Sequence, residues 1–236
     1  MDRYPPSNRS IIERANTGIQ AYMAQVYGWM TCGLLLTGFV AWYAAKTPAV
    51  LNFIFSNQIT LFGLIITQLS LVLVISGMIT HLRATLATSL FMLYSLLTGL
   101  TLSSIFITYT YSSIASTFVV TAGMFGAMSL YGYTTKRDLS GFCSMLSMAL
   151  IGIVLASLVN IWLKSSTLIW VTSYVGVAVF IGLTAYDTQK LKAIGDQLNP
   201  DDHAILNKYA IIGALTLYLD FINLFLICMR IFGNRR

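Results

Sequence analysis

The sequence predicts an all-α, polytopic membrane protein of seven transmembrane helices, with the C-terminal helix central in the bundle. Three observations carry that prediction. Of 236 residues, 57% are hydrophobic and only 9% are charged, whereas a soluble domain carries about a quarter charged residues. The apolar residues fall into seven stretches, each close to the roughly 20 residues a bilayer requires. The last stretch has a narrow polar stripe. At about 100° per residue, Tyr209, Gly213, Thr216, Asp220 and Asn223 share one side of a helix, opposite Leu, Ile and Phe. A greasy helix with one polar stripe belongs inside a bundle, wrapped by its neighbours.

The elements follow in order. Residues 1–20 are polar, with Pro5-Pro6 and mixed charges, and read as an N-terminal cytoplasmic segment. They lack the early apolar core of a cleavable signal peptide. Residues 21–236 form the transmembrane domain. The first span runs from about Met23 to Ala45 and stops at Lys46-Thr47-Pro48. The second runs from Ile59 to Thr80, ending at His81-Leu82-Arg83, and the third from Ala84 to Tyr109. The fourth covers Ser113 to Tyr133, before the polar break Lys136-Arg137-Asp138. The fifth covers Leu139 to Leu163, with Ser140 placed as its N-cap. The sixth runs from Leu168 to Thr188. Lys190 to Lys208 reads as the longest polar loop, and Tyr209 to Phe232 as the seventh span.

The net charge of +6 bears on topology rather than on nucleic acid. Arg3, Arg9, Arg14, Arg83, Lys136, Arg137, Lys190, Lys192 and Lys208 fall in alternate loops, while the other interior loops carry Lys46 and Lys164. The positive-inside rule therefore puts the N-terminus in the cytoplasm. Arg230, Arg235 and Arg236 oppose this at the far end, but one short basic tail rarely overrides the earlier loops. Seven complete crossings are expected. Cys32, Cys143 and Cys228 lie within apolar stretches, without disulfide or metal spacing, and read as packing residues. Gly33, Gly38, Gly123, Gly126, Gly152, Gly176 and Gly182 read as sites of close helix packing. His81 and His203 are lone loop histidines.

Of eight acidic residues, only Asp187 and Asp220 belong to spans. An ionisable group inside a membrane is costly and normally faces a bundle interior or a wet cavity. Asp220 is near the middle of the seventh span. Asp187 is near the cytoplasmic end of the sixth, so the two meet only if the sixth helix sits deeper than hydropathy suggests. If they meet about 4 Å apart, they repel by about 4 kcal/mol at an effective dielectric near 20. Such a pair holds one shared proton near neutral pH and titrates as a unit. It would couple pH to the force between two helices. It would also be a weak cation site. Two carboxylates offer four oxygens where calcium takes six to eight, with Thr216 and Asn223 as candidate supporting ligands. Arg83 is the candidate ionic partner of the pair, although a snorkelling arginine is the plainer reading. A purely structural reading also stands, with Asp187 paired to Lys190 and Asp220 bonded to hydroxyls or water.

Thr184-Ala-Tyr-Asp187-Thr-Gln189 and Leu215-Thr-Leu-Tyr-Leu-Asp220-Phe-Ile-Asn223-Leu-Phe225, followed by Arg230-Ile-Phe-Gly233, resemble the two signature blocks of the Bax inhibitor-1 family. Leu97-Thr-Gly-Leu-Thr-Leu-Ser-Ser104 and Tyr131-Gly-Tyr-Thr-Thr-Lys136-Arg137-Asp138-Leu-Ser140 fit as well. The likeness covers nearly the whole chain beyond about residue 20 and is nearest to bacterial inner-membrane members. It implies seven helices with the last surrounded by six. It also implies a pH-sensitive calcium leak sensed by an aspartate pair, which maps onto Asp187 and Asp220. An arginine latch of the second helix has only an approximate counterpart in Arg83. No cofactor is implied; calcium is the permeant or weakly bound ion. Some bacterial relatives are instead associated with a membrane-anchored AAA protease as modulators or substrates, which gives the alternative function. Eukaryotic relatives suppress cell death.

An enzymatic reading is weaker. Tyr186-Asp187 and Asp220 echo an intramembrane aspartic protease, but Leu-Tyr-Leu-Asp220-Phe lacks the glycine-flanked setting that admits water. No catalytic residue is therefore assigned. Tyr131-Gly132-Tyr133 is not a potassium filter, since it lies at a helix end without a carbonyl-lined loop.

Overall fold

The computed structural model describes residues 8–78, 82–199 and 202–236, with residues 8–16 and His203 described by backbone alone. His81 and the first seven residues lie outside the described residues. Among the described residues eight helices follow in order: α1 (Asn8–Lys46), α2 (Pro48–Phe55), α3 (Gln58–Met78), α4 (Ala84–Thr108), α5 (Tyr111–Thr134), α6 (Ser140–Leu163), α7 (Ser166–Gln197) and α8 (His203–Phe232). Seven are long and apolar enough to cross a membrane; α2 is the exception. α2 occupies residues that the hydropathy reading leaves as a connection. Pro48 starts it, where the missing proline N–H costs nothing.

The first span is part of one continuous helix that begins at Asn8, so the polar N-terminal residues from there on are helical. The expected polar loop at 190–208 is also mostly helix. α7 runs to Gln197, and α8 starts at His203. Asp202 caps α8 by accepting the Ile205 N–H at 3.1 Å. The N-terminus of α6 differs from expectation by one residue. Leu139 holds the cap position, and Asp138 Oδ1 accepts the Ser140 N–H at 2.8 Å.

α8 packs against α1, α4, α5 and α7. Its apolar stretch is 67% buried, whereas that of α6 is 0% buried. α6 joins the bundle chiefly through α7, and α3 chiefly through α4. Leu, Ile and Met side chains along α6 stand exposed, as lipid-facing residues do. Of the seven span glycines singled out above, Gly33, Gly176 and Gly182 abut Phe91, Ile227 and Leu146. Gly38, Gly123, Gly126 and Gly152 face open space instead. Among the cysteines only Cys228 is buried; Cys32 is exposed.

Specific contacts identify the two ends of the bundle. At one end, the Tyr22 hydroxyl of α1 donates to the Tyr209 carbonyl of α8 at 3.3 Å, and the Tyr22 ring lies on Gly195 of α7. Lys192 of α7 donates to the Tyr133 carbonyl at 2.8 Å, placing the α5–α6 loop at this end too. At the other end, the C-terminal tail pairs with the α4–α5 connection. Tyr109 and Arg235 form an antiparallel bridge, and the Arg236 N–H donates to the Thr108 carbonyl at 2.9 Å. Lys136, Arg137, Lys190, Lys192 and Lys208 therefore share one end of the molecule, and Arg235 and Arg236 occupy the other.

Candidate functional site

α7 buries a stripe of Phe180, Thr184, Thr188, Leu191 and Gly195 at three- to four-residue spacing. Asp187 flanks this stripe and is half-buried, whereas Asp220 on α8 is only 6% exposed. α7 continues to Gln197, about 15 Å past Asp187 at 1.5 Å per residue. That continuation gives Asp187 the depth needed to reach Asp220. The two carboxyl groups lie within interaction range of each other across the α7–α8 interface. Two carboxyls in such contact can hydrogen-bond only when one carries a proton. Asp220 Oδ2 is buried without a hydrogen-bond partner among the described residues. An unpartnered oxygen is costly to bury, and a proton held between it and Asp187 would satisfy it.

The other sequence-derived candidates do not all join the pair. Thr216 donates its hydroxyl to the Ile212 carbonyl at 3.1 Å, within its own helix. Asn223 lies half-buried about one turn beyond Asp220. Arg83 is exposed in the position preceding α4 and makes no ion pair among the described residues. Lys190, one turn beyond Asp187, is the cation whose charge acts on that carboxyl. No group of three or more His, Cys, Asp or Glu side chains that could hold a metal occurs among the described residues.

The surroundings contain hydroxyl groups that the sequence reading passed over. Thr188, next to Asp187, bonds Ser129 of α5 at 2.9 Å, and Ser129 bonds the Tyr27 hydroxyl of α1 at 2.5 Å. Ser113, Thr117, Thr121 and Ser129 are all buried on α5. Their repeat at multiples of four residues is a helical polar stripe and was the available signal. Thr117 Oγ1 is the second buried oxygen without a hydrogen-bond partner among the described residues. A cavity of about 1280 Å³ lies elsewhere, between α1 and α5 over Phe221, Ile222 and Phe225 of α8. Its walls are mostly hydrocarbon, neither aspartate lines it, and such a surface cannot solvate a cation.

The family model described as "Inhibitor of apoptosis-promoting Bax1" matches residues 19–236. The chain is 70% identical to the inner membrane protein YbhL of Escherichia coli K12 over all 236 residues, covering 100% of both chains. It is 46% identical to an uncharacterized protein of Borreliella burgdorferi, covering 91% of this chain and 92% of the relative. An uncharacterized Rickettsia prowazekii protein is 45% identical, with 93% and 92% covered. A match across nearly the whole chain, together with seven apolar helices, settles the assignment: the chain belongs to the Bax inhibitor-1 family of membrane proteins.

Proposed function

We propose that this protein is a pH-sensitive calcium leak of the bacterial inner membrane, with Asp187 and Asp220 acting together as proton sensor and weak cation site. The observation that carries the reading is the contact between the two carboxyls inside the bundle. With one proton, the pair draws α7 and α8 together. Without it, two adjacent charges push the helices apart by about 4 kcal/mol at 4 Å and an effective dielectric near 20. A group whose force on two packed helices reverses with one proton is suited to gating.

The same two groups suit passage better than storage. Calcium takes six to eight oxygens, so two carboxylates bind it weakly and release it readily. The N-terminus is assigned to the cytoplasm by the positive-inside rule, because Arg3, Arg9, Arg14, Arg83, Lys136, Arg137, Lys190, Lys192 and Lys208 fall to its side in the sequence, against Lys46, Lys164, Arg230, Arg235 and Arg236 on the other. The reading assigns no catalytic residue and no cofactor. Its test is calcium flux into liposomes holding the purified protein, compared with Asp187→Asn and Asp220→Asn. If flux is absent, or identical in all three, the pair is structural. The regulation of a membrane-anchored AAA protease then becomes the leading function.

A further inference from the structure

A second polar site lies beside α7, where the α5–α6 loop crosses it. A cavity of about 370 Å³ is lined there by Lys136, Arg137, Asp138, Ser140, Gln189 and Lys190, among others. The loop is fixed. The Gln189 side-chain amide donates to the Arg137 carbonyl at 2.7 Å, and its oxygen accepts the Leu139 N–H at 2.9 Å. Both ends of one side chain thus hold Lys136 and Arg137 beside Lys190.

The charge in this cavity is unbalanced. Its one carboxylate, Asp138, is turned to the start of α6, where it accepts the Ser140 N–H at 2.8 Å. Lys136, Arg137 and Lys190 make no ion pair among the described residues. Three cations therefore line a small cavity with one engaged anion, although the charge of Lys190 also acts on Asp187. The next turns of α6 present Phe142 and Met145, 57% and 59% exposed. The cavity thus lies where the polar end of the protein meets its lipid-facing surface.

We propose that this cavity binds a phosphate group, carried either by an anionic phospholipid headgroup or by a free phosphate. Arg137 supplies a planar fork suited to two phosphate oxygens, while Lys136 and Lys190 supply point charges. The size is at the lower end of that for small-ligand pockets. The adjoining apolar face of α6 accommodates acyl chains if the phosphate belongs to a lipid.

The test is native mass spectrometry of the purified full chain with phosphatidylglycerol or phosphatidylcholine, each with and without millimolar inorganic phosphate. The wild type is expected to retain phosphatidylglycerol over phosphatidylcholine by at least about tenfold, from three cations near the membrane surface. The Lys136→Gln, Arg137→Gln, Lys190→Gln triple variant loses that preference. Lys46→Gln keeps it. A Lys136→Arg, Lys190→Arg variant also keeps it, which separates lost charge from lost fold. Retention unaffected by inorganic phosphate assigns the site to a lipid headgroup. Displacement together with saturable phosphate binding assigns it to free phosphate. If wild type and triple variant bind both probes alike, or wild type binds neither, the proposal is overturned.

Discussion

Gly132 of α5 lies directly against the backbone of Ala185 in α7, two residues before Asp187. A β-carbon at position 132 would strike the Ala185 carbonyl oxygen, which is backbone and cannot rotate away. This contact sets how closely α5 approaches the helix that carries Asp187. Gly132→Val is expected to destabilise the protein by about 1–3 kcal/mol, as overpacking of a close contact does. Gly123→Ala, where the added carbon meets nothing within 4 Å, should leave stability unchanged or raise it by up to about 1 kcal/mol through helix propensity. Thermal unfolding in detergent distinguishes the two. Equal melting temperatures would remove Gly132 from the account.

Gln189 predicts a local effect. Gln189→Leu removes both hydrogen bonds to the 137–139 loop, each worth about 0.5–1.5 kcal/mol. The loop should open more often while the bundle stays folded. Faster amide exchange at Leu139 and faster tryptic cleavage after Arg137 are the expected results. Unchanged rates at both sites would show that the loop is held by something else.

Asp138 gives a pH dependence outside the membrane-spanning segments. The Ser140 backbone N–H, bonded to its carboxylate, lowers its pKa below the ordinary 3.8. A lowered folded-state value means that the contribution is fully present above the unfolded value. It is lost as pH falls through the folded one. The start of α6 should therefore keep its amide protection at neutral and mildly acidic pH and lose part of it only in strong acid. Asp138→Asn should make that protection independent of pH. Loss of protection beginning near pH 6 in the wild type would contradict the assignment.

The spans were legible because seven apolar stretches alternate with polar breaks, most of them charged. The length of α7 was not, because hydropathy averages an amphipathic turn to nothing. Lys190, Asp196 and Gln197 are exposed, while Leu191 and Gly195 are buried on the same helix. Helical spacing of those two would have carried α7 past Thr188 and brought Asp187 to the depth of Asp220. α2 was missed because eight residues between Thr47 and Ser56 give too short a window for any periodicity. Arg83 was legible as a helix-end arginine, but hydropathy carries no information on which way such a side chain turns. The Thr188–Ser129–Tyr27 chain needed the α5 and α7 stripes to be aligned, and a sequence does not supply that register.

Calcium flux into liposomes across about pH 6 to 8 tests the central claim most directly, with wild type, Asp187→Asn and Asp220→Asn measured side by side. A proton-sensing pair gives a wild-type leak that varies with pH and a flattened profile in each variant. In those variants the new amide bonds the remaining carboxyl whatever the pH. A pH-dependent leak of the same size and shape in all three proteins, or no leak in wild type, would contradict it.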